Sequence, residues 1–349
     1  EGQEDHAGHD MSAMGPAGTD HAAMGHGAAG LDELGRRYHG MQHKMAPELY
    51  DELREKVALY RNYSNQQIDL SMVQMGSEYE WYVSPPGVRG KQGLLVLTHG
   101  FRDAGDRIFK QQLEPLANVF PTAMGVGMAM MMSDHIQSSI DDLQAAGAEE
   151  IVVVPIVSTD NNELKRQWDY ILGRQAEAEF ASVPRVKTDA RLLFASPPND
   201  DPMIAEILVD HALEISSGDP SRELVIVVAH GASADEDNRK EAKSHGDLAR
   251  LVKEDGGFAD ARGLALQDDA PREVRAKNVA RLREMVARAN AEGRNVLIVT
   301  NLFGARTIQA KLRSDLKGLN YSFNAKGIAQ HDNFIEWLGD EVRETLEKA

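Results

Sequence analysis

Two histidines stand in the same phrase of this sequence. His99–Gly100 closes LLVLTHGF, and His230–Gly231 closes IVVAHGA. A neutral imidazole ligates a divalent ion or accepts a proton near neutral pH. A Gly beside it lets another group approach the backbone closely. Either His alone reads as a satisfied residue at a strand end; the repetition makes the pair a candidate site. A second set of chemical groups lies at the start of the chain. His6, His9, His21 and His26 alternate with Met11, Met14 and Met24 in a stretch otherwise of Gly, Ala and acids. Imidazole with thioether is a ligand set for late transition ions such as copper or nickel. The plain alternative is a Gly/Ala spacer. Half of the twelve His precede residue 45, however, which favours weak, exchangeable metal capture.

Composition excludes other chemistry. The chain of 349 residues has no Cys, so disulfides, thiolate metal centres and cysteine nucleophiles are ruled out. Its 55 acidic and 38 basic residues give a net charge of −17, which repels phosphate backbones and anionic lipid, so no nucleic-acid partner is expected. No apolar run approaches the roughly 18 residues of a membrane span. The chain starts at Glu1 without an initiator Met or a basic–apolar leader. Together with the His/Met-rich start, this reads as a periplasmic or otherwise exported protein whose signal peptide has been removed.

The elements that must position the two histidines follow from pattern. Residues 1–30 lack aliphatic periodicity and read as a disordered tail, because they cannot bury enough apolar surface to offset ordering entropy. Asp32–Val57 reads as helical, with Pro47 suited to a first turn, so residues 31–90 form a helical arm and linker. From Lys91 onward, short β-rich runs alternate with helical patterns. Strands are expected at 93–101, 123–132, 149–157 and 190–198 in a first half spanning 91–218. They recur at 222–231, 260–267, 294–303 and 321–331 in a second half spanning 219–349. Strands separated by helices imply parallel sheets with right-handed crossovers. The expected fold is α/β, with two parallel-sheet halves in tandem. Each His–Gly then falls at the C-terminal end of the first strand of a half, on the rim where open parallel sheets bind ligands.

LLVLTHGFRDAGD, IDDLQAAGAEEIVVVPIV, VIVVAHGASADEDNRK and GIAQHDNFIEWL resemble the class II tetrapyrrole chelatases. The closest type is the sirohydrochlorin cobaltochelatase/ferrochelatase in its two-half long form, and the resemblance covers about residues 91–349. It implies two flavodoxin-like halves related by a pseudo-two-fold axis, with a cleft between them for a planar macrocycle. It also implies a lyase of cobalamin or siroheme biosynthesis that inserts Co²⁺ or Fe²⁺ into sirohydrochlorin or a related tetrapyrrole. The macrocycle loses two pyrrole protons while the ion sheds its water, and imidazole serves both steps.

Carried over residue by residue, the family's first His falls on His99. Its second His follows the strand-three Pro; here that loop, Pro155-IVSTDNNEL, holds no His. Glu163 falls at or near that position, and Asp160 is close by. The family's strand-two acid falls near Met130, within a Met run whose alternation also reads as core filling. The resemblance therefore implies catalysis by His99 and Glu163, and metal ligation by His99, Glu163, Asp160 and Met130. His230, Arg306 and His331 are assigned to the substrate, whose carboxylates a guanidinium grips bidentately. The alternative function is a non-catalytic, exported metal- or tetrapyrrole-binding protein on the same scaffold, since one fold hosts many functions. A hydrolase, prompted by His99 beside Arg102, Asp103 and Asp106, lacks a G-x-S-x-G elbow.

Overall fold

The computed structural model describes residues 29–40, 45–73, 78–126, 133–304 and 307–349. His6, His9, His21, His26, Met130 and Arg306 lie outside the described residues. The described chain opens with β1 (Ala29–Leu31), β2 (Arg37–Gly40), α1 (Pro47–Lys56), α2 (Asn65–Val73) and β3 (Glu78–Tyr82). The expected helix over Asp32–Val57 is therefore corrected: only its second part is helical. The Asp32 carboxylate accepts from the amides of Leu34 and Arg36 at 2.9 Å, and Gly35 adopts φ +74°. These two features close a β1–β2 hairpin where a helix was expected.

The first half continues with β4 (Gln92–Thr98), α3 (Arg102–Gln112), α4 (Glu114–Ala117), β5 (Thr122–Val126) and α5 (Ser133–Ala145). It ends with β6 (Glu150–Ile156), α6 (Glu163–Ile171), β7 (Arg191–Phe194) and α7 (Pro202–Leu213). The second half comprises β8 (Glu223–Ala229), α8 (Asp235–Gly256), β9 (Asp260–Ala265) and α9 (Arg272–Ala291). After these come β10 (Asn295–Asn301), α10 (Thr307–Asp315), β11 (Ser322–Phe323) and α11 (Asp332–Glu347).

Each half shows one strand order, second-first-third-fourth, as β5-β4-β6-β7 and β9-β8-β10-β11, with every pairing parallel. The duplication expected from the sequence is present. Only the first sheet is extended, by the antiparallel β1, β2 and β3, to seven strands. The last strand, β11, is far shorter than the expected 321–331. The Asn324 side chain bonds the His211 carbonyl and Glu214 instead of extending the sheet, and a Cβ on Gly327 would meet the Phe303 carbonyl oxygen at 2.3 Å. The chain there packs as a loop and a one-turn helix, Ile328–Gln330.

β4, β6, β8 and β10 are buried along almost their whole length, as near-continuous apolar runs covered on both faces must be. Each such Val, Ile or Leu contributes about 2 kcal/mol through lost apolar surface. Val152, Val154 and Leu208 share one core with Val225, Leu297 and Trp337 of the second half. α7 packs on α8 and β10, while α11 packs on α4, α7, β6 and β7. The last helix of each half thus lies against the other half.

Candidate metal site

His99 follows β4 and His230 follows β8, so both stand on the C-terminal rim of their sheets, as expected. The Gly after each adopts a positive φ, +96° at Gly100 and +80° at Gly231. A Cβ on Gly231 would meet Ala265 Cβ and Asn238 Oδ1 at 2.7 Å, so the turn out of β8 requires glycine. Among the described residues, the non-glycine residues with positive φ are Arg102, which opens α3 after β4, and Asn199 and Gln267 in the loops after β7 and β9. Strained backbone gathered at one edge of both sheets is a mark of a working site.

His230 is the centre of the polar cluster. Its Nδ1 lies 2.8 Å from the Gly231 carbonyl, which fixes the proton on that nitrogen and leaves Nε2 facing outward. Nε2 lies 3.3 Å from Asp269 Oδ2. His230, Asp268 and Asp269 each offer a ligand atom, and these atoms lie within 4.8 Å of one another. The two acids have different company. Asp268, only 5% exposed, accepts from Arg275 Nε at 2.6 Å and Lys311 Nζ at 2.7 Å, and Arg275 also grips Asp315. Asp269, 55% exposed, has His230 as its close partner.

The charges follow. Burial alone would lower the His230 imidazole, but the charge and hydrogen bond of Asp269 outweigh it and push it up to about 9. Desolvation by the groups around it raises the Asp269 carboxyl, but the His230 charge and hydrogen bond outweigh it and hold it well below the usual carboxylate range. His99 responds in the opposite sense. Burial pulls it below its ordinary value; Asp269 pulls it back in part, and the neighbouring His230 charge adds to the fall. At neutral pH the rim therefore presents a neutral imidazole on one half and an imidazolium–carboxylate pair on the other.

The remaining sequence candidates lie elsewhere. Both Glu163 carboxylate oxygens are engaged by Ser233 and Ala234 of the second half. Asp160 is tied to Asn199 and Lys165. The ring nitrogens of His331 are taken up by the Asn333 amide and by Asp210, where it caps α11. The acidic company expected for His99 in the loop after β6 is thus bound to other partners, and the acids that do gather belong to the second half. Asp268 and Asp269 are not among the residues that the family resemblance implies, because the strand-two acid it points to falls at Met130 in the first half. Their signal was legible: QDDAP directly follows the second-half strand two, on the same rim as His230.

No protein-family model matches the chain. The chain is 27% identical over 128 residues to the sirohydrochlorin cobaltochelatase of Methanothermobacter thermautotrophicus, a match covering 34% of this chain and 90% of that protein. That relative is therefore about the size of one half. The SirB protein of Bacillus subtilis, solved with Fe³⁺, matches with a TM-score of 0.53 at 16% identity, over 73% of this chain and 96% of that one. The sirohydrochlorin chelatase SirB of Bacillus subtilis subspecies spizizenii, in complex with cobalt, matches with a TM-score of 0.51 at 15% identity, over 74% and 96%. By these comparisons the chain is similar to sirohydrochlorin chelatases. The structural matches bring the fold, two chelatase-like halves, and the placement of the site rests on the rim geometry above.

Proposed function

We propose that this chelatase-family chain is a lyase that inserts a divalent ion, Co²⁺ or Fe²⁺, into sirohydrochlorin or a related tetrapyrrole between the two rims. The observation that carries this reading is the His230–Asp269 pair, Nε2 3.3 Å from Oδ2, beside a neutral His99. His230 and Asp269 receive the incoming ion as substrate, and the ion displaces the proton held between them. The Nδ1–H bond to Gly231 keeps Nε2 aimed at it, the outer-shell arrangement that a ligating His ordinarily has. Asp268, neutralised by Arg275 and Lys311, fixes the loop and does not bind the ion. His99, uncharged at neutral pH, accepts a pyrrole proton. Lys311 at the rim meets a substrate carboxylate. An exported setting, resting on the His/Met-rich start and the absence of Cys, is part of this proposal.

An anaerobic absorbance titration with sirohydrochlorin, with and without Co²⁺, tests it. Progress from a shifted macrocycle spectrum to the metallated form is the expected result. A shifted spectrum that never progresses makes the protein a tetrapyrrole binder, and no shift at all removes the macrocycle.

A further inference from the structure

Glu163 opens α6 in the first half, yet its carboxylate is spent on the second. Oε1 accepts from the Ser233 amide at 3.1 Å and the Ala234 amide at 3.3 Å, and Oε2 accepts from Ser233 Oγ at 3.0 Å. Ser233 lies three residues after His230, in the loop that the Gly231 turn sets in motion. Two further bonds join the same pair of segments. Thr159 Oγ1 donates to Glu241 Oε1 at 2.9 Å in a fully buried contact, and Arg166 Nη2 reaches Asp237 Oδ2 at 2.9 Å. Glu241 in turn draws on the Ala232 amide, so the loop is held from behind by its own half and from in front by the other. A carboxylate that accepts three hydrogen bonds has little lone-pair capacity left for a metal ion.

We propose that Glu163 is a positioning residue, a latch that clamps the loop carrying His230 to the first half and so sets His230 opposite His99. This rests on the reading of the rim as the metal-handling site. The family resemblance implies Glu163 as a metal ligand; the three donors converging on it assign it to the loop. A latch of this kind changes metal affinity and ligand geometry without supplying a ligand, because the histidine it orients is in the adjacent turn.

The test compares the full chain with Glu163→Gln, Ser233→Ala and the double variant. Co²⁺ alone is titrated and read by calorimetry and by the visible Co²⁺ spectrum. Each single variant is expected to weaken Co²⁺ about 3- to 10-fold and to alter the spectrum. Stoichiometry and melting temperature should stay nearly unchanged, and the double variant should be no weaker than Glu163→Gln, since both changes act on the one Ser233 Oγ–Glu163 contact. Complete loss of Co²⁺ in Glu163→Gln with Ser233→Ala at wild-type affinity would make Glu163 a ligand and overturn the latch. Wild-type affinity and spectrum in all three variants would overturn it as well. Hydrogen exchange at the Ser233 and Ala234 amides separates the two readings. Should the wild type bind no Co²⁺ that His230→Ala removes, the metal-site reading falls. Faster exchange of those amides in Glu163→Gln then still upholds the clamp, and unchanged exchange removes it.

Discussion

The loops that follow the two equivalent histidines are held by opposite kinds of force. After His99, the Phe101 amide donates to Asp106 at 2.6 Å, and the Phe101 ring packs 5.5 Å from Phe109. That ring also lies over Gly304 of the second half, where an added Cβ would meet it at 2.2 Å. After His230, the cross-half contact is polar, with the Glu163 carboxylate accepting from Ser233 and Ala234. The rim beside β9 adds Asp268 and Asp269, and Gln267 clamps it with bonds to Ala232, Asp235 and Asn278. Duplication placed two imidazoles alike; their neighbours made one neutral and the other cationic.

Exchanging the roles of the two histidines is the strongest way to break this comparison. His230→Ala and Asp269→Ala should each weaken Co²⁺ by about 100-fold or more, since each removes a ligand. His99→Ala should retain Co²⁺ but slow metal insertion by a factor of about 10² to 10⁴, the range of a lost general base. Calorimetry and insertion kinetics on the same variants decide it, and the reverse pattern would give the metal to the first half. Acid sharpens the contrast next. Because His230 holds its proton up to about 9, that proton must leave before the ion binds. Apparent Co²⁺ affinity should therefore fall about tenfold per pH unit below that value. A titration that stays flat between about pH 8.5 and 6 would remove His230 from the ligand set.

A stability measurement probes the cores behind the rims. His211 on α7 is buried against the second half and His245 on α8 is buried within it; among the described residues their ring nitrogens find no hydrogen-bond partner, and burial pushes both down to about 4. The unfolded chain takes up these protons near pH 6.5 and the folded chain refuses them until about 4, so stability is whole above that window and is lost as pH falls through it. Each group costs about 3 kcal/mol once the window is crossed. His245→Leu should therefore flatten the acid limb of a denaturant-melt series between pH 6.5 and 4, and an unchanged limb would place the acid sensitivity elsewhere. The smallest expected effect lies at Gln267, whose φ of +52° is strained for any residue but glycine. Gln267→Ala and Gln267→Gly lose the same side-chain bonds, so Gly should be the more stable by about 1 kcal/mol. Equal melts would deny the strain.

The duplicated strand–helix pattern was legible because parallel strands buried on both faces are written as continuous apolar runs such as LLVLT and LVIVV. His99 and His230 were legible because each ends such a run. The N-terminal hairpin was not. Asp32 and Gly35 close a turn inside a stretch whose Leu and Tyr spacing also fits a helix, and the partner that decides between the two, β3, lies about forty residues further on. Glu163 was legible as an acid near the rim, but which groups meet its carboxylate depends on the second half.

Local pattern by itself therefore determined the number and type of the repeated elements and the rim on which chemistry takes place, since burial periodicity is a property of neighbours in the chain. Tertiary structure alone decided the charge of each histidine. An imidazole's protonation depends on what lies within a few ångströms of it, and Asp269 reaches His230 from 39 residues away, across α8, β9 and the loops that flank them.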